Sequence, residues 1–146
     1  MAQEPGAKLY SPELLMLAVS LADHPMQGEY THTASARSRT CGSTMTIGLD
    51  CDDEGRVRKF GTQVSACAVG QASAAIMVAQ LEGASLRQIR ETHGAIADWL
   101  AGDAPLPDWP GFAALEPAKA HPGRHEALLL PWKAALDALS SDAAKG

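Results

Sequence analysis

Apolar positions along the chain change period several times, and each change marks an element. In "SPELLMLAVSLAD" (11–23) Leu14, Leu17, Ala18 and Leu21 fall on one face at helical spacing, so an amphipathic helix opens the fold. His24, Pro25 and Gly28 interrupt it. Three segments with strand character follow: "YTHTASARSRT" (30–40), "TMTIGLDC" (44–51) and "RVRKFGTQVSA" (56–66). Alternation is clearest at Met45, Ile47 and Leu49, and "DDEG" (52–55) has the composition of a hairpin turn, which predicts an antiparallel meander. From Cys67 the period shifts again. "ACAVGQASAAIMVAQLEG" (66–83) is small or apolar on every face, as suits a buried helix approached closely by its neighbours.

The rest of the chain reads as helices. Ser85 with Gln88 has the form of a capping box, and Leu86, Ile89, Ile96 and Leu100 stripe the helix behind it, which ends near Gly102. After the Pro-rich "DAPLPDWPGFAALEPAKAHPG" (103–123), a last long helix places Leu128, Trp132, Ala135, Leu136 and Leu139 on one face. The order predicts an α+β domain: an N-terminal helix, a three-stranded antiparallel sheet, then helices packed on one sheet face.

Length and composition fit one domain spanning 1–146, with 1–9 and 140–146 as expected flexible tails: 146 residues and 46% hydrophobic content support one core. A formal charge of -5, with Lys and Arg scattered rather than clustered, excludes the basic stripe of a nucleic-acid binder. "LLMLAVSLA" (14–22) falls short of the roughly 20 apolar residues that span a bilayer. Ser11, Pro12 and Glu13 before it are helix-start residues rather than the basic flank of an export signal. A cytoplasmic protein with no membrane partner is therefore expected, and its three cysteines should be reduced thiols.

Those cysteines are the candidate chemistry. Cys67 is predicted at a helix N-terminus, where unpaired backbone N–H groups favour a thiolate that can bind metal or carry sulfur; the plainer alternative is a small core residue. Cys41 ends a strand and precedes Gly42, which permits a sharp turn, so a loop thiol is expected there. Cys51, between Asp50 and Asp52, reads as incidental, because neighbouring carboxylates disfavour a second negative charge. "DCDDEG" lacks the ligand spacing of a calcium loop, and the glycines of "GSTMTIG" fit no phosphate-binding motif. His32, His93 and His121 have no partner at metal-ligand spacing.

Taken jointly, "YSPEL" at the start, "CGS" after a strand, "FGTQVSACAVGQASA" running into a helix and "HPGRHEALLLPWKAAL" at the end resemble the IscU/SufU/NifU family of iron-sulfur cluster scaffolds. The resemblance runs from about Tyr10 to Leu139 and is nearest the SufU-like branch. It implies a SufE/NifU-like fold on which a cysteine desulfurase delivers sulfur, iron joins it, and a transient iron-sulfur cluster passes to recipient apoproteins. Zinc can occupy the same ligands.

Cys41 matches the family's first ligand cysteine and Cys67 its second, but two positions depart from the pattern. Ser43 replaces the aspartate of the "CGD" motif, and Ala127 stands where the third cysteine belongs. The Pro122, Gly123, Arg124 triplet still leads into it. Pro131 has no N–H to bond the carbonyl of Ala127, so a bend in the last helix is expected. Glu126 stands where the IscU branch has a histidine and is a candidate additional metal ligand, as is His125, although His125 lies about 200° around the helix from position 127. A homodimer bridging one cluster with two cysteines from each chain is another way to complete the site. The resemblance leaves three roles open: scaffold or carrier, partner-binding homologue without metal, and persulfide-accepting sulfur-transfer protein.

Overall fold

The structure is a computed structural model that describes residues 11–20, 24–39, 42–102 and 104–145, with side chains as far as residue 140. Leu21 of the opening stripe, the tail 1–9 and Cys41 lie outside the described residues. Helix α1 spans Pro12–Ser20. The sheet is formed by β1 (His32–Arg37), β2 (Thr44–Cys51) and β3 (Val57–Ser65). Three further helices follow: α2 (Ala68–Ala79), α3 (Leu86–Leu100) and α4 (His125–Lys145). The predicted α+β order is the observed one, and α4 carries on over the segment expected as a tail.

The sheet is an antiparallel meander in the order β1-β2-β3. Met45, Ile47 and Leu49 are fully buried along one face of β2, and their partners in register are Val64, Thr62 and Phe60 on β3 and Ala36, Ala34 and His32 on β1. This is the face the alternation predicts. The turn after β2 is held by Asp52, whose side chain accepts the N–H groups of Glu54 and Arg56 while Gly55 takes a positive φ of 81°. On the opposite face Gly48 and Gly61 pair across β2 and β3, and Tyr30 fills the space that side chains would occupy. A Cβ on Gly48 would overlap the Tyr30 ring, and one on Gly61 its hydroxyl.

Against the core face lies α4, which covers β1 and β2 and also packs on α2 and α3; α1 packs on α2. The last helix, not the small-residue helix, is thus the element seated on the sheet. Its buried set is wider than one stripe: Ala127, Leu128, Leu130, Trp132, Ala134, Ala135, Ala138 and Leu139. Small residues fit a helix with neighbours on several sides. α4 is one helix through Pro131. Just past that residue the Trp132 indole N–H donates to Ser73 Oγ at 3.0 Å, and the Ser73 hydroxyl donates to the Leu128 carbonyl at 2.6 Å. This buried chain of hydrogen bonds ties α2 to α4.

The predicted capping box at Ser85 and Gln88 is present with both hydrogen bonds. The Pro-rich connection holds more structure than its composition predicts, because Phe112–Ala120 is a 3₁₀ helix. Phe112, Leu115 and Ala118 are buried at intervals of three, the 3₁₀ repeat, so one edge of this segment faces the core. Just before it, the Trp109 indole N–H donates to the Ile76 carbonyl near the end of α2.

Candidate functional site

The site is built where one end of the sheet meets the start of α2. Thr44 opens β2 opposite Arg37 on β1 and opposite Ser65 at the end of β3, so the β1–β2 connection and the β3–α2 connection share that end. The β1–β2 connection closes tightly: the Ser38 N–H donates to the Ser43 carbonyl at 2.8 Å, and Gly42 takes a φ of 70°. Only glycine adopts that backbone readily, as the sharp turn predicted after Cys41 requires. Cys41 lies between these anchors, outside the described residues. Ser43, at the position of the motif's aspartate, is buried.

Cys67 is the N-cap of α2, with extended backbone (φ -66°, ψ 170°) and no hydrogen bond from its side chain to the helix. It is a half-buried free thiol packed against the core, and its carbonyl accepts the Gln71 N–H in the first turn. Gln71 fixes the approach to the helix through its side-chain amide, which donates to the Ala66 carbonyl at 2.8 Å. The predicted placement of Cys67 at a helix start therefore holds, and the thiol is not spent on capping.

Position 127 comes to the same helix turn. Gly70 lies three residues after Cys67, and a Cβ there would sit 3.3 Å from the Ala127 carbonyl oxygen and 3.5 Å from the Ala127 methyl. Ala127 is fully buried at this crossing. The close approach of the two helices explains the glycine at this turn.

The two additional ligand candidates are both engaged with backbone. His125 begins α4, and its Nε2 donates to the Lys119 carbonyl at 2.9 Å. Glu126 points to the β1–β2 connection, where its carboxylate accepts the backbone N–H of Arg39. Sequence reasoning missed this clamp, because nothing local signals a contact between residues 87 positions apart. Among the described residues no three His, Cys, Asp or Glu side chains gather as a metal-holding group. Cys51 is remote: it ends β2 at the far edge from Thr44, seven residues along a strand or about 23 Å away. No helix among the described residues is long and apolar enough to cross a membrane.

A cavity of about 180 Å³ adjoins this region between β1, α3 and α4. Arg37, Arg39, His93 and Lys133 line it together with Glu126, over a floor that includes Leu129 and Leu130. Burial is the main influence holding the His93 imidazole below its usual value of 6.5, and Lys133 adds to it while Asp137 opposes it. A larger open cavity, about 530 Å³, lies on another part of the surface around Glu82, Glu91, Asp108 and Trp109.

No protein-family model and no curated protein matches the sequence. Solved structures do match. A nitrogen-fixing NifU-like protein (N-terminal) from Brucella abortus is similar at a TM-score of 0.90 and 28% identity, over 98% of this chain and 100% of that one. A candidate iron-sulfur cluster assembly scaffold protein for the SUF system from Fervidobacterium islandicum is similar at a TM-score of 0.81 and 21% identity, over 90% of this chain and 96% of that one. The chain therefore has the fold of the NifU-like N-terminal and SufU scaffold proteins, the likeness its cysteine-bearing motifs point to.

Proposed function

We propose that this protein is an iron-sulfur cluster assembly scaffold or carrier that takes sulfur and iron on the thiolates of Cys41 and Cys67 and passes the cluster to recipient apoproteins. The observation that carries this reading is the position of Cys67: a free, half-buried thiol at the N-cap of α2, at the sheet end where the connection bearing Cys41 closes. Backbone N–H groups at a helix start favour the anionic sulfur that both iron and sulfur transfer require. The likeness of the whole chain to the NifU-like protein supports it.

A cysteine desulfurase is the fitting sulfur donor. A scaffold thiolate attacks the terminal sulfur of the donor's persulfide, a new S–S bond forms on the scaffold, and the donor leaves as its own thiolate. Two thiolates then hold half of the four positions that a bound cluster uses. A second copy of the chain or an outside ligand completes it, and zinc is the resting occupant where iron is absent. Action in the cytoplasm is part of the same proposal.

Ala127 favours one competing reading. A methyl group at the crossing of α2 and α4 donates nothing to a metal, which fits a homologue that keeps the fold and binds assembly partners without cargo. Anaerobic reconstitution with iron and sulfide separates the two. Visible sulfur-to-iron absorption that is lost in Cys41→Ser and in Cys67→Ser supports the scaffold. Colourless protein throughout supports the partner-binding homologue. A persulfide mass increment on one cysteine after incubation with desulfurase and cysteine, without metal, supports sulfur transfer alone.

A further inference from the structure

The cavity beside the site reverses the sign of the protein's charge locally. The chain carries a formal charge of -5, yet Arg37, Arg39, Lys133 and the half-buried His93 line this cavity with one carboxylate, Glu126, while Asp137 also acts on His93 from α4. The Glu126 carboxylate already accepts the Arg39 backbone N–H. The ion pairs Arg56 with Glu54, Lys59 with Asp50 and Arg87 with Glu91 involve none of the three pocket cations. Charge-assisted hydrogen bonds from such groups are the stronger kind, and a carboxylate or phosphate is their natural acceptor. A volume of about 180 Å³ over a partly apolar floor admits a small organic acid and no folded segment.

The pocket shares the β1–β2 connection and the first turn of α4 with the thiol site. Glu126 immediately precedes Ala127, which packs on Gly70 in the first turn after Cys67, and Arg39 belongs to the connection that leads toward β2. Resting on the function proposed above, we propose that the pocket binds the carboxylates of a small anionic thiol, whose sulfur supplies a cluster ligand that Ala127 cannot. Ligation needs no oxidant or reductant: the thiol releases its proton to solvent, and the resulting thiolate donates an electron pair to iron. Leu129 and Leu130 receive the carbon skeleton of the acid, and Lys133 with the two arginines holds its charges.

The test uses the full chain. Metal-free protein is titrated with mercaptosuccinate, with succinate as the anion lacking sulfur and with 2-mercaptoethanol as the thiol lacking charge, followed by calorimetry and amide NMR. Both dicarboxylates are expected to bind and to shift the amides of Arg39, His93 and Lys133, whereas 2-mercaptoethanol does not. Losing one charge-assisted bond in Lys133→Glu weakens binding about tenfold or more; Lys133 is exposed on α4, and circular dichroism checks the fold. Iron and sulfide reconstitution in mercaptosuccinate is then expected to give a longer-lived chromophore than in 2-mercaptoethanol, in the wild type and not in Lys133→Glu. No binding, binding indifferent to Lys133→Glu, or equal chromophores in both thiols overturns the inference. Equal chromophores leave the scaffold function standing, whereas a colourless protein in every thiol removes both.

Discussion

Ala127 and Gly70 touch where α4 crosses the first turn of α2, with the Ala127 carbonyl oxygen 3.3 Å from the place a Gly70 side chain would begin. A Gly70 side chain would also begin 2.9 Å from Ala66 Cβ, so Gly70→Val displaces the turn that positions Cys67 and is expected to cost about 1–3 kcal/mol, read as a lower melting temperature. Ala127→Cys adds a single sulfur at the same crossing. It is expected to lengthen the lifetime of a bound cluster or zinc several-fold, measured by transfer to a chelator. Metal retention no better than wild type would place the missing ligand elsewhere.

Ser73 joins two buried groups, receiving the Trp132 N–H and donating to the Leu128 carbonyl. Ser73→Ala leaves the Trp132 N–H buried without that acceptor, at an expected cost of about 1–3 kcal/mol in denaturant unfolding. In a Trp132→Phe background the orphaned donor is gone. There Ser73→Ala should cost measurably less, and strict additivity of the two substitutions would contradict the coupling.

On the outer sheet face Tyr30 occupies the space above Gly48 and Gly61. Gly48→Ala cannot coexist with that ring position and is expected to destabilise by about 1–3 kcal/mol. The same substitution in Tyr30→Ala should be nearly silent. A double-mutant cycle on chemical denaturation reads the difference directly.

These relationships mark the boundary of what sequence patterning carries. The strict alternation of Met45, Ile47 and Leu49 gave β2 its face, and the small-residue run after Cys67 gave α2 its start, because both signals are local. Gly42 was likewise legible as a turn. The Tyr30 cover, the Glu126 clamp on Arg39 and the seating of α4 on the sheet all join distant segments, and no local period encodes them. Phe112–Ala120 was hidden for another reason: its proline and its interval of three fit neither the helical nor the strand template. The likeness to iron-sulfur scaffolds was legible from the joint order of motifs, while the donors that complete the site were not.

His93 offers a pH-dependent readout of the cationic pocket. Its imidazole titrates below 6.5, chiefly through burial and then through Lys133, against the opposing Asp137; Arg37, Arg39 and Glu126 share the pocket. Between its folded and unfolded values the unfolded chain binds more protons, so its contribution to stability is present above 6.5 and is lost as pH falls through the folded value. Lys133→Ala should move the His93 NMR titration upward and Asp137→Ala downward. Burial remains in both variants, so Lys133→Ala should not restore the full ordinary value.

Metal and acid-labile sulfide analysis of protein purified without oxygen tests the scaffold function most directly, on wild type, Cys41→Ser, Cys67→Ser and Cys51→Ser in parallel. Iron with sulfide, or zinc in their place, should be retained by the wild type and by Cys51→Ser, whose thiol lies at the far end of β2. Both should be lost from Cys41→Ser and Cys67→Ser. Equal metal in Cys67→Ser and wild type, or none in any of the four, would contradict the assignment of cargo binding to the thiol at the start of α2.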